Sequence, residues 1–220
     1  MPVFPLFVDL KDKLCVVIGG GDVAARKIDV LLEFGAKIRV VSPGLSERLA
    51  ALQQQGRIEA IKRGYAEGDL EGAFIAIAAT PDSGVNEKIY EYAVKKGIFV
   101  DVADCPQKCT FIFPSIVRRG DLVVGISTSG GYPALSKNVR ERIDAVLPQS
   151  YGSLLEMLKS CRRRAADEIP DRSKRKEALS RILDEMLLCE DALESELLKL
   201  RIEKIFKEYG NEEDNQSRKP

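Results

Sequence analysis

The chain has 220 residues, with 34 lysines and arginines balanced by 34 aspartates and glutamates, and no histidine. A hydrophobic fraction of 45% suits a folded core, and the even charge gives no reason to expect a nucleic-acid or membrane partner. No apolar run reaches the roughly 20 residues of a membrane span, the start Met1-Pro2-Val3-Phe4-Pro5 lacks a basic signal region, and five irregularly spaced cysteines fit a reducing cytoplasm. Without histidine, acid–base chemistry falls to carboxylate, lysine, tyrosine or cysteine.

Short apolar runs alternate with amphipathic stretches from about residue 14 to about residue 103. Leu14–Ile18, Ile38–Val41, Ile58–Lys62, Phe74–Ala79 and Phe99–Val102 read as strands; Val23–Phe34, Leu45–Gln54 and Val85–Lys96 read as helices. This alternation predicts an α/β fold with a parallel sheet, because parallel strands need crossover connections. After Pro106 the pattern changes. Phe111–Ser115 and Leu122–Ser127 read as a hairpin, with Arg118-Arg119-Gly120-Asp121 as its turn. A helix follows from Pro133 to about Leu147. From Ser153 onward the chain reads as helical, with Leu179, Ile182, Met186, Cys189, Leu193, Leu197 and Leu200 recurring on one face. Asn211 to Pro220 reads as a polar, frayed tail.

Gly19-x-Gly21-x-x-Ala24 follows the first strand and opens the first helix, the setting that a dinucleotide-binding fingerprint requires. Gly19 permits the tight turn, Gly21 lets the backbone approach a pyrophosphate, and Ala24 lets the helix pack closely on the sheet. Asp22 and Val23 begin that helix, whose unpaired N–H groups face the phosphates. The second strand ends in Ser42-Pro43, which favours neither NAD nor NADP. Thr80 and Asn86, after the fourth strand, are further candidate contacts, with helix initiation the competing role for Asn86. Asp104 lies just past the fifth strand and is a candidate proton acceptor. Cys105 and Cys109 without histidine do not make a typical metal site, so no resident metal is expected.

Several stretches together carry a family resemblance. They are Phe7-Val8-Asp9-Leu10, Gly19-Gly20-Gly21-Asp22-Val23-Ala24-Ala25-Arg26-Lys27, Ala76-Ile77-Ala78-Ala79-Thr80, Val102-Ala103-Asp104-Cys105-Pro106, Phe111-Ile112-Phe113-Pro114-Ser115 and the later Ser-Gly-Gly stretch. With them, residues 3–152 resemble the precorrin-2 dehydrogenase module of siroheme synthases. The resemblance implies NAD-dependent oxidation of precorrin-2 to sirohydrochlorin, and in some members Fe²⁺ insertion to give siroheme. It implies a cytoplasmic homodimer with a Rossmann domain (1–113), a dimerisation segment (114–150) and a helical domain (151–210).

The family's catalytic aspartate maps onto Asp104. A partly buried carboxylate there would titrate high enough to act as a base near neutrality. The substrate class is a tetrapyrrole with eight carboxylates, so candidate substrate contacts are Ser127, Thr128 and Gly130, as an anion-binding nest, together with Lys137 and Arg140. Tyr132 departs from the Ser or Thr common in the family before Pro133. The competing reading is a nucleotide-sensing regulatory module without catalysis; such modules usually carry an acid where this chain has Ser42.

Overall fold

The computed structural model describes residues 3–103, 105–189, 192–193 and 195–210. Asp104 and the tail at 211–220 lie outside the described residues. The chain divides into two compact units. One comprises Met1–Pro114 with Ser127–Pro133, and the other Ser115–Ile126 with Ala134–Pro220.

In the first unit, β1 (Leu14–Ile18), β2 (Lys37–Val41), β3 (Glu59–Ile61), β4 (Ile75–Ala78) and β5 (Phe99–Val102) form a parallel sheet in the order β3-β2-β1-β4-β5. The helices α1 (Asp22–Glu33), α2 (Glu47–Gln54) and α3 (Ser83–Lys96) supply the crossovers. Alternation along β1 serves both faces. Cys15 and Val17 pack with Ile28 and Leu31 of α1 and with Leu49 and Leu52 of α2, while Val16 and Ile18 pack with Ile89 and Ala93 of α3. Strands covered on both faces must be apolar throughout, which is why these runs were legible in the sequence. The chain leaves β1 toward β2 on one side and β4 on the other, and ligands bind beyond the strand ends at such a reversal of order.

Phe111–Ser115 is not a strand. The aromatic rings are used on the sheet instead: Phe99 stacks edge-on with Phe74 and Phe111, at centroid distances of 5.5 and 6.3 Å, and Phe111 meets Phe113 at 6.3 Å. Phe111 and Phe113 thereby extend the core on the α1 and α2 face.

The second unit begins with β6 (Ser115–Arg119) and β7 (Leu122–Ile126), an antiparallel hairpin whose turn is only Gly120-Asp121. Arg119 belongs to the strand because its buried guanidinium has partners there. It donates to the Asp144 and Leu147 carbonyls, each at 2.9 Å, and pairs with the Asp144 carboxylate at 2.9 Å. These bonds close the C-terminal end of α4 (Pro133–Val146).

Three more helices follow, α5 (Tyr151–Glu168), α6 (Arg172–Leu188) and α7 (Glu196–Gly210). Their core contains Ala165, Ala178, Ile182, Met186, Leu198, Ile202 and Phe206. The leucine periodicity that suggested one continuous face is interrupted after Leu188. Cys189, Ala192 and Ser195 each bond back three residues, and α7 restarts with a different phase, leaving Leu197 and Leu200 exposed. Among the described residues, no helix is long and apolar enough to cross a membrane.

Candidate functional site

The turn after β1 is shaped by what its glycines exclude. Gly19 has φ +121°, and a Cβ there would lie 2.2 Å from the Ala79 carbonyl oxygen. Only glycine combines that backbone conformation with such an approach between the β1 and β4 loops. A Cβ on Gly20 would lie 2.0 Å from the Gly44 carbonyl oxygen. A Cβ on Gly21 would meet nothing within 4 Å. The first two glycines therefore weld the turn to its neighbours, and the third faces open space.

That open space lies at the start of α1. Gly21 is the N-cap residue and supplies no side-chain hydrogen bond, so the helix's first N–H groups are not capped by it. A backbone that a ligand can approach, next to a helix N-terminus with its positive dipole end, fits a pyrophosphate. Asp22 and Val23 both begin α1 with exposed side chains. The residues present therefore fit a dinucleotide.

The loop after β2 braces this turn. The Ser42 hydroxyl donates to the Gly44 carbonyl at 2.7 Å, the same carbonyl that closes on Gly20. The Ser46 N–H donates to the Gly20 carbonyl at 2.8 Å, and the Ser46 hydroxyl accepts from Leu49 N–H to cap α2. Ser42 is buried and turned into its own loop, while Pro43 and Gly44 are exposed. Arg39 and Arg63, on β2 and just after β3, are both paired with acids. Arg39 bonds Glu59 at 2.8 Å, and Arg63 bonds Asp69 at 2.5 and 2.8 Å. The Arg63 guanidinium is the main reason the Asp69 carboxyl titrates below its ordinary value.

On the other side of the crevice, the Thr80 hydroxyl lies 2.8 Å from Asn86 Oδ1, and Asn86 Nδ2 donates to the Thr80 carbonyl at 2.9 Å. Asp82 caps α3 by accepting from the N–H groups of Gly84 and Val85. Asn86 thus holds the loop after β4 in place, and helix initiation falls to Asp82.

Ser127, Thr128 and Gly130 also belong to the first unit. Gly130 has φ +77°, and a Cβ there would lie 3.3 Å from Pro106 Cβ. The expected nest is turned inward. Ser129 N–H donates to the Ser127 hydroxyl, Gly131 N–H to the Thr128 carbonyl, and Tyr132 N–H to the Thr128 hydroxyl. Those three N–H groups are not presented to an anion; the hydroxyls satisfy the turn first. Val3 N–H reaches Ser129 Oγ at 3.2 Å. Lys137 and Arg140 lie on α4, within reach of Glu141 at 4.0 and 3.3 Å. They belong to the second unit.

Sequence reasoning missed Ser46 and gave Gly20 no role of its own. The middle position of Gly-x-Gly is formally free, so only the close loops reveal why it is glycine. Ser46 carried a signal, since a serine just before an amphipathic run is a natural N-cap. Among the described residues, no group of three or more histidine, cysteine or acidic side chains is placed to hold a metal ion.

Residues 6–115 match the family described as "Putative NAD(P)-binding". The chain belongs to this NAD(P)-binding family. Within it, the likeness is to siroheme synthases. The chain is 40% identical over 154 residues to that of Nitrosococcus oceani, 70% of this chain and 33% of the relative. It is 44% identical over 157 residues to siroheme synthase 1 of Serratia proteamaculans, 71% of this chain and 33% of the relative. It thus spans about a third of the length of these curated relatives. A solved structure of SirC, a precorrin-2 dehydrogenase, superimposes with a TM-score of 0.75 at 26% identity, covering 94% of this chain and all of that one.

Proposed function

We propose that this protein is a precorrin-2 dehydrogenase that oxidises its substrate to sirohydrochlorin with NAD. The observation that carries the reading is the three-glycine turn, sealed by Gly19 and Gly20 and open at Gly21, in a chain 94% of which is covered by the likeness to SirC. NAD, when bound, supplies the hydride acceptor. Gly21 and the start of α1 would hold the pyrophosphate, with Asp22 and Val23 beside it, and the Ser42–Pro43 loop would take the adenosine side. Thr80 and its brace Asn86 would shape the nicotinamide side.

Oxidation removes a hydride and a proton from the substrate. Asp104 takes the proton, and water then accepts it, so substrate and NAD⁺ yield sirohydrochlorin, NADH and H⁺. Lys137 and Arg140 of α4 are the cations offered to the substrate's carboxylates. Insertion of Fe²⁺ into the product is a second activity of the same site, with the carboxylate accepting pyrrole protons. The working form is a cytoplasmic homodimer, joined through the segment 114–150.

The test is anaerobic incubation of the pure protein with precorrin-2 and NAD, followed by absorbance, and then with Fe²⁺. The expected result is NADH with sirohydrochlorin, and a further spectral change above the metal-only control. Asp104→Ala abolishes oxidation, by about 10²–10⁴-fold for a lost general base, with NAD affinity retained. NAD binding without oxidation by the unaltered protein overturns the dehydrogenase and leaves a nucleotide sensor.

A further inference from the structure

The end of β2 carries neither an acid nor an arginine for an adenosine ribose. It carries Ser42, whose hydroxyl is spent on the Gly44 carbonyl. An acid there would accept from the ribose hydroxyls of NAD, and an arginine would take the extra phosphate of NADP. Residues of both kinds stand one strand away. Ser42 N–H and Arg63 N–H converge on a single acceptor, the Ile61 carbonyl, at 3.1 and 3.0 Å. The residue that ends β2 and one that follows β3 are therefore neighbours at the carboxyl ends of the sheet.

Arg63 keeps 47% of its side chain exposed, whereas the Asp69 side chain is buried, at 5%. Their pairing is two-pronged. Arg63 Nη1 donates to Asp69 Oδ2 at 2.8 Å and Nη2 to Asp69 Oδ1 at 2.5 Å, and Nη1 also donates to the Gly64 carbonyl at 2.8 Å. A guanidinium has five N–H groups. These bonds use three of them; the Nε–H and the second Nη2–H have no protein partner among the described residues. Packing does not call for the surplus. Asp69 accepts from the Ala66 N–H at 2.7 Å and so closes the short turn Glu67–Leu70. A buried carboxylate needs a counter-charge, but that need leaves two donors of the arginine unspent, and a half-exposed ion pair adds little to stability. The neighbouring Arg39 is matched by Glu59 at 2.8 Å, so it adds no unbalanced charge.

We propose that Arg63 and Asp69 decide between NAD and NADP: Arg63 meets the adenosine ribose with its unspent donors, and Asp69 cancels the charge that would otherwise draw a 2′-phosphate. This rests on the reading that the dinucleotide lies along the glycine turn with its adenosine at the Ser42–Pro43 loop. A ribose hydroxyl can accept from Arg63 while the ion pair stays whole. A phosphate would bring about two negative charges up to a guanidinium already matched by a carboxylate, and gains correspondingly less.

The test is the ratio of NADP affinity to NAD affinity, measured by calorimetry on the unaltered protein, Asp69→Asn, Arg63→Met and the double variant. Asp69→Asn keeps an oxygen for the Ala66 N–H and leaves the guanidinium unmatched. The ratio should rise at least about tenfold, and the gain should shrink with added salt. Arg63→Met leaves the carboxylate unmatched; NAD binding should weaken about threefold or more, and the ratio should fall. The double variant strands no buried charge, which guards against a failure to fold, and its ratio should return toward that of the unaltered protein. Single variants whose ratios move in the same direction, or by less than about twofold, overturn the inference. Gly21→Asp separates the two layers. If it binds both dinucleotides as the unaltered protein does, the glycine turn is not the cofactor site, and the role of Arg63 and Asp69 falls with it. If it loses both while the ratios of the Arg63 and Asp69 variants stay fixed, only the role of that pair falls.

Discussion

The two glycine-rich turns of the first unit are built in opposite ways. At Gly19-Gly20-Gly21, the missing side chains let neighbouring carbonyls close in, and Gly21 is left facing open space at an α1 start that it does not cap. At Ser127–Tyr132, hydroxyls and carbonyls consume the N–H groups of Ser129, Gly131 and Tyr132, and a Cβ on Gly130 would lie 3.3 Å from Pro106 Cβ. The first turn is preorganised by steric exclusion and keeps a binding surface free. The second is preorganised by its own hydrogen bonds. Similar composition thus gives an open helix start in one place and a self-contained brace in the other.

Substitutions can break or sharpen this contrast. The largest effect is expected for Gly19→Ala, where a Cβ would meet a backbone carbonyl at 2.2 Å on a left-handed backbone. It should lose more than about 4 kcal/mol of unfolding free energy, measured by urea titration. Gly21→Asp comes next and separates binding from folding. Its side chain enters open space, so stability should hold within about 0.5 kcal/mol, while NAD affinity by calorimetry falls at least about tenfold from charge repulsion at the pyrophosphate.

In the second turn, Gly130→Ala meets side-chain carbon at 3.3 Å. It should cost about 1–2 kcal/mol of stability through its left-handed backbone, leaving NAD affinity unchanged. Smallest is Ser129→Gly. It relieves a serine at φ +55° and forfeits the hydrogen bond from Val3. Two opposing effects of about 1 kcal/mol each should nearly cancel in thermal unfolding. Equal losses of NAD affinity at Gly21 and Gly130 would erase the distinction between the turns.

How much of this was legible in the sequence depended on whether one residue's neighbours lay near it in the chain. The parallel sheet could be read because strands buried on both faces are apolar without interruption, as in Val16-Val17-Ile18 and Ile75-Ala76-Ile77-Ala78. The fingerprint could be read because Gly19, Gly21 and Ala24 are local. The start of β6 was misread because Phe111 and Phe113 look equally at home in a strand or laid across a sheet, and only Phe99 decides. The break after Leu188 was hidden because the leucine spacing runs on through it. The ion pair of Lys27 on α1 with Asp101 on β5 had no local signal at all, since its partners stand on a helix and a strand brought together by the sheet. Ser42 was recognised as a position, but its bond to Gly44 was not.

The return of Ser127–Pro133 to the first unit also governs when that unit can be finished. A nascent chain that has emerged only as far as Pro114 carries all five parallel strands and still lacks the segment that packs on Pro106 and Ile112. Completion waits until β6, β7 and the following turn have left the ribosome. Synthesis of the second unit is therefore under way before the nucleotide-binding unit closes, and no single cut in the chain separates the two intact.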